Sequence, residues 1–219
     1  MRTTDTTTTG GAVPSPTTDT GEDPLDRLER ELTDLLPDLV GLSLCRTGPD
    51  GPVTLRASDP GVGLLDALQH LDGGPLPTRD RDVVISPARW PHLARGADAI
   101  GVGSTRACTL RRGEVVAGEV HLYAAGDTPF AGHEEAIQAL LDDADLVDRV
   151  LDPAPADPEP TQAAPRSLRG DGAVHRVIGQ LVVRLGVDPI AAHDRLESSA
   201  RLAGVPCTDL AAALVDLRP

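Results

Sequence analysis

Leu25, Leu28, Leu32, Leu35 and Leu39 recur at alternating steps of three and four, the spacing of one apolar helical stripe, and Pro37 predicts where that helix stops. Ile137, Leu140, Ala144, Val147 and Leu151 repeat the spacing and predict a helix over about 133–151. Each stripe has alternative outlets: the chain's own sheet, the other stripe, or a second copy of the chain. Between them the pattern shortens to strand length. Runs at 40–46 and 53–58, joined by the turn Gly48 to Gly51, predict a hairpin. A short helix over 63–71 follows, then a glycine-bearing reversal, a brief strand at 83–86 and a short helix over 90–95. Thr105–Arg111 and Val115–Ala124 form the clearest hairpin, with Val116, Gly118, Val120 and Leu122 on alternate positions. The order β-β-α-β-α-β-β-α predicts an α+β domain, an antiparallel sheet flanked by helices.

Beyond residue 173 the period is helical throughout. Val174, Val177, Ile178, Leu181 and Leu185 define one apolar face, with Gly186 placed to end the helix in the left-handed region. Asp188-Pro189 reads as N-cap and first helical residue of a second helix with Ile190, His193, Leu196 and Ala200 on its face. Thr208 is placed to cap a third, with Leu210, Ala211, Leu214 and Val215. Three helices with tight connections predict a small all-α three-helix bundle. Two stretches break the pattern: the Thr-, Gly- and Pro-punctuated start and the Pro/Ala-rich run from Asp152, neither apolar enough to offset ordering entropy. The expected organisation is a disordered tail at 1–24, an α+β domain at 25–151, a linker at 152–168 and the helical module at 169–219.

Composition narrows the functional classes. Aromatic residues are 1% of the 219 positions, namely Trp90, Tyr123 and Phe130, too few for a sheet that stacks nucleobases on exposed rings. The net charge is −14, yet Arg166, Arg169, Arg176, Arg184, Arg195, Arg201 and Arg218 nearly balance the acids after the linker, so a local basic stripe through Arg176, Arg184 and Arg201 is compatible with an acidic chain. Cys45, Cys108 and Cys207 have neither disulfide-framework nor zinc-knuckle spacing. No apolar run has membrane-span length and no secretory signal is legible, so a cytoplasmic protein without membrane contact is expected. His133-Glu134-Glu135 lacks the second histidine of a metalloprotease helix, Gly101-Val102-Gly103 lacks a third glycine, and no nucleophile elbow occurs. The expectation is a protein with no catalytic residues, no metal and no cofactor. Cys45 and Cys108, each in an apolar strand, read as inert buried thiols.

Two resemblances give the pattern a family. Arg89-Trp90-Pro91, Gly101-Val102-Gly103-Ser104, Gly118, Leu122-Tyr123 and Phe130 resemble the second half of a GAF domain of the type common in actinobacterial regulators. That resemblance implies a small-molecule site bounded by Leu64 to Pro75, Trp90 to Ala99 and Thr105 to Thr109, with Trp90 and Thr105 as candidate ligand residues. Trp90 either lines such a site or fills the core. Val174-His175-Arg176 through Leu185-Gly186-Val187, then Ala192, Leu196 and Ala200, then Pro206, Leu210 and Ala211 resemble an ANTAR domain, the RNA-binding output module of transcription antitermination regulators. The resemblance implies a homodimeric regulator that binds paired RNA stem-loops, with Arg176, Gly179, Arg184 and Arg201 as RNA-binding candidates. Three positions depart from the family: Ile178 stands for a lysine, Arg201 for an aromatic and Val205 for an arginine. They keep open an alternative, a ligand-sensing or protein-interaction regulator whose helical module no longer binds RNA.

Overall fold

A computed structural model describes residues 23–49, 51–75, 81–142, 147–148, 150 and 168–216, without the side chains of 168–171. The expected tail up to Glu22, the expected linker from Asp152 to Ser167, and Ala144 and Leu151 of the second stripe lie outside the described residues. The elements in order are α1 (Pro24–Leu35), β1 (Leu39–Gly48), β2 (Gly51–Ala57), α2 (Pro60–Asp72), β3 (Asp82–Val84), α3 (Pro91–Ala99), β4 (Ser104–Arg112), β5 (Val115–Ala124), α4 (Glu134–Leu141), α5 (Leu168–Leu185), α6 (Pro189–Leu202) and α7 (Cys207–Asp216). The chain is α+β, with a five-stranded sheet in the order β2-β1-β5-β4-β3 and every adjacent pair antiparallel. No described helix is long and apolar enough to cross a membrane.

Three helices start on the same local chemistry. Asp23, Asp59 and Asp188 each accept a hydrogen bond from a first-turn backbone N–H, and a proline follows each of them. Proline at the first helical position loses no bond, because that N–H has no helical partner. α2 therefore begins three residues before the sequence-based expectation. It ends on Gly73 at φ 67°, a left-handed cap. α3 has no such start: Trp90 occupies its N-cap and makes no side-chain cap bond. Asp72, the last residue of α2, supplies the cap instead, its Oδ2 accepting from the N–H groups of His92 at 2.8 Å and Leu93 at 3.0 Å.

The central strands β1, β5 and β4 are buried on both faces. Leu42, Leu44, Cys108, Leu110, Val120 and Leu122 form one side of a core with Leu25, Leu28 and Leu32 of α1, Phe130, and Ile137 and Leu141 of α4. The stripes of α1 and α4 are thus spent within the chain, on its own sheet and on each other. Val147 and Val150 continue that core. Gly118 faces it where any side chain would strike the backbone: a Cβ there would lie 2.2 Å from the Cys45 carbonyl oxygen.

The other face is covered by α2 and α3, and this second core does not stop at the α+β domain. Val62, Leu65, Leu68, Leu71 and Leu93 join Val177, Leu181, Ala192, Leu196, Ala200, Leu210, Ala211 and Leu214 of the C-terminal helices in one apolar cluster. Those helices differ from expectation at their edges. Leu185 and Ile190 are 40% and 74% exposed and His193 is exposed, so the buried side of α6 is Ala192, Leu196, Ser199 and Ala200. Ala192, Leu196 and Ala200 enter the core that α2 shares, which turns Ile190 and His193 outward. Thr208 lies inside α7, where the N–H groups of Asp209 and Leu210 bond to the Pro206 carbonyl. Thr208 instead places its hydroxyl 3.3 Å from the Asp209 carboxylate.

Candidate functional site

Side chains alternate along a strand, so the partners of Val120 and Leu122 on the opposite face are Glu119, His121 and Tyr123. The register places Cys45 and Thr109 beside Glu119, Ser43 and Ala107 beside His121, and Thr105 beside Tyr123. A one-residue register shift between β1 and β2 sets Thr54 against Cys45; unbroken pairing from Ser43 and Ala57 would have put Leu55 there. The bulge re-aims the strand so that a hydroxyl faces the cluster, and Leu55 is left 40% exposed. α2 closes over this face and inserts Asp66 and Gln69.

The result is a polar cluster sealed in apolar surroundings: Ser43, Thr54, Asp66, Gln69, Glu119, His121 and Tyr123 are all buried, as is Cys45. Burying such groups is costly unless they pair. Asp66 does so most fully. Its Oδ2 accepts from Thr54 Oγ1 at 2.8 Å, its Oδ1 accepts from the Tyr123 hydroxyl and lies 3.2 Å from His121 Nδ1. Gln69 Nε2 donates to the Tyr123 oxygen. Cys45 Sγ sits 3.7 Å from His121 Nδ1 and 3.8 Å from both Thr54 Oγ1 and Ser43 Oγ. On the far side of the ring, His121 Nε2 is 3.4 Å from Glu119 Oε2.

The electrostatics follow from this pairing. Burial would raise the Asp66 carboxyl, but His121 and the hydroxyl donors outweigh it and hold it below the ordinary range. Burial would lower His121, yet Cys45, Asp66 and Glu119 hold it well above its usual value. Tyr123 is pushed well up by burial and by the neighbouring Asp66 charge, so it remains a hydrogen-bond donor. Cys45, Asp66 and His121 together present a sulfur, an oxygen and a nitrogen donor within 4.8 Å of one another. An exposed group, His193, Asp194 and Glu197, is similarly close.

The sequence-based candidates fall around this cluster and on the C-terminal helices. Thr105 is buried on the same sheet face, beside Tyr123. Trp90 is half-buried against the core shared with the C-terminal helices, and the Arg89 guanidinium lies 5.1 Å from its ring centre. Arg176, Gly179, Arg184 and Arg201 are all exposed. At about 100° per residue, Arg176, Gly179 and Val183 share the outward side of α5, with Arg184 at its edge. Arg184 is engaged there: its Nη1 lies 2.8 Å from His92 Nε2, and His92 Nδ1 is 2.6 Å from Asp72 Oδ1. Arg195 donates from Nε and Nη2 to the Leu71 carbonyl at 3.0 and 2.7 Å, satisfying a C-terminal carbonyl of α2. Arg201 donates to the Ser198 hydroxyl within its own helix. Ile178 is half-buried against the shared core, so the position that holds lysine in the resembled family packs here instead.

Sequence reasoning missed Asp66, His121, Tyr123, Thr54 and the part played by Cys45. The only signal was the Glu119, His121, Tyr123 alternation, which reads as a solvent face until a helix is known to cover it.

No family model matches the chain, and no curated protein matches it. Among solved structures, Escherichia coli SdiA aligns at 14% identity with a TM-score of 0.41, over 91% of this chain and 94% of that one. SdiA in complex with octanoyl-rac-glycerol aligns at 14% identity and a TM-score of 0.41, over 88% of this chain and 86% of that one. Superposition that loose carries no inference for this chain.

Proposed function

We propose that the protein is a two-part sensory regulator: a GAF-like domain receives a signal at the cluster around Asp66, and an ANTAR-like three-helix bundle acts on structured RNA. One observation carries the sensory half. α2 places Asp66 and Gln69 in the polar cluster while its other surfaces pack against the C-terminal helices, through the apolar core that Leu65 and Leu68 share with Leu196 and Leu210 and through the Leu71 to Arg195 hydrogen bonds. A change of occupancy at the cluster that shifts α2 must change how the C-terminal helices sit, which is the coupling a regulator requires. The RNA half rests on the resemblance of 173–215 and on Arg176 and Arg201, exposed on that module. Two copies of the bundle in a homodimer would bind paired stem-loops at high effective concentration.

The test is RNA binding by the full chain as a function of salt. Arg176→Ala with Arg201→Ala is expected to weaken binding of stem-loop RNA and to flatten the plot of log affinity against log salt by about two units, roughly one for each phosphate no longer neutralised. An unchanged slope rejects the roles given to these arginines. The second reading, a protein-interaction module, is favoured by a separate observation: Val183 and Ile190 are 86% and 74% exposed on either side of the α5–α6 turn, while Arg184 is tied to His92.

A further inference from the structure

The geometry points to a buried divalent transition-metal site, with zinc the best fit, formed by Cys45 Sγ, Asp66 Oδ1 and His121 Nδ1. Tetrahedral zinc has bonds of about 2.3 Å to sulfur and about 2.0–2.2 Å to nitrogen and oxygen, which separates its donors from one another by about 3.3–3.6 Å. Sulfur lies 3.7 Å from the imidazole nitrogen, and that nitrogen 3.2 Å from the carboxylate oxygen. Both separations lie close to that range, and all three donors, from β1, α2 and β5, fall within 4.8 Å of one another. Thiolate, imidazole and carboxylate together suit zinc better than magnesium or calcium, which prefer oxygen alone.

The surrounding groups match what a metal site needs beyond its ligands. A ligating histidine ordinarily turns its other nitrogen to a carboxylate, and His121 Nε2 faces Glu119 at 3.4 Å. The ligating carboxylate is itself held, by Thr54 on its second oxygen and by the Tyr123 hydroxyl. Three protein donors leave one coordination position for water or for a donor from a signal molecule. Binding displaces the Cys45 thiol proton and the proton that His121 carries on Nδ1, both to solvent, and no electron is transferred.

The metal would staple α2 to the sheet through Asp66, and α2 carries the C-terminal helices. As regulation, this rests on the reading of the cluster as the input site. Metal binding is measured without RNA, so either result leaves the other independently testable.

The experiment uses the untagged full chain, purified without chelator, with metal content read by elemental analysis and Co2+ used as a spectroscopic probe. The expected results are one Zn2+ per chain and, with Co2+, a thiolate charge-transfer band with intense tetrahedral ligand-field bands. The band should persist in Cys108→Ala with Cys207→Ala, which leaves Cys45 as the sole thiol, and in His193→Ala, which removes the exposed cluster. Cys45→Ser should abolish it. Glu119→Gln, which keeps the three donors, should weaken Zn2+ binding by about tenfold or more. Absence of stoichiometric Zn2+ binding, a Co2+ spectrum without the thiolate band, or loss of either in the Cys108/Cys207 or His193 variants would overturn the site. If Cys45→Ser does not fold, the spectrum of the double cysteine variant decides.

Discussion

Gly179 shows how one residue separates a structural demand from a functional one. It lies in the body of α5, and a Cβ built on it meets nothing within 4 Å. Helical glycine costs about 0.5–1 kcal/mol relative to alanine. Gly179→Ala is therefore expected to raise stability by about that amount in denaturant unfolding. If this outward face approaches an RNA backbone closely, the same substitution should weaken RNA binding while the protein becomes more stable. Gly118 behaves oppositely, since its Cβ would meet the Cys45 carbonyl. Both glycines stand alike in the chain, and neither neighbour in sequence reveals which one is tightly packed.

At the scale of elements, the junction between α2 and α3 is governed by Asp72, whose side chain is 5% exposed. It caps α3 with one oxygen and meets the His92 ring with the other, and His92 in turn meets Arg184 of α5. Burial would raise the Asp72 carboxyl, but the His92 ring and the N–H groups of Leu93 and His92 more than compensate and hold it below its ordinary value. A depressed folded-state value means that Asp72 stabilises the protein above the unfolded carboxyl value of about 3.9, and that this stability disappears as pH falls through the lower folded-state value. Thermal melting between pH 7 and pH 2 should show a decline below about pH 4 that is shallower in Asp72→Asn. At pH 7, Asp72→Ala should cost about 1–2 kcal/mol, the usual loss for an N-cap. The Asp188-Pro189 start of α6 was legible as a short local motif, whereas the same motif at Asp23 and Asp59 went unread. The cap of α3 was not legible, because its acceptor comes from the end of another helix, eighteen residues before the Trp90 it replaces.

For the whole molecule, the consequential feature is the seam between the α+β domain and the C-terminal helices. Gly63 lies in it, where an added Cβ would stand 3.3 Å from Val205 Cγ1. Gly63→Leu places a side chain where α2 meets the α6–α7 turn, and overpacking of this kind costs about 1–3 kcal/mol. Hydrogen exchange should show lost protection in α6 and α7 with little change in β4 and β5, which lie away from that contact. Uniform loss across both halves would mean that the seam and the sheet unfold as one unit.

The sequence alone determined most of the elements and their order, because amphipathic period, turn glycines and the Asp188-Pro189 helix start are local. It determined equally that α1 and α4 carry apolar stripes, though not whether these face the chain's own sheet. Tertiary structure decided that, and decided the candidate site. Cys45, Asp66 and His121 lie up to 76 residues apart, with no ligand spacing to mark them. Their meeting depends on antiparallel register, on the bulge that turns Thr54 inward, and on α2 covering the polar side of β5. Alternation says that a strand has two faces, but which of them meets water is set by the helices that fold over it.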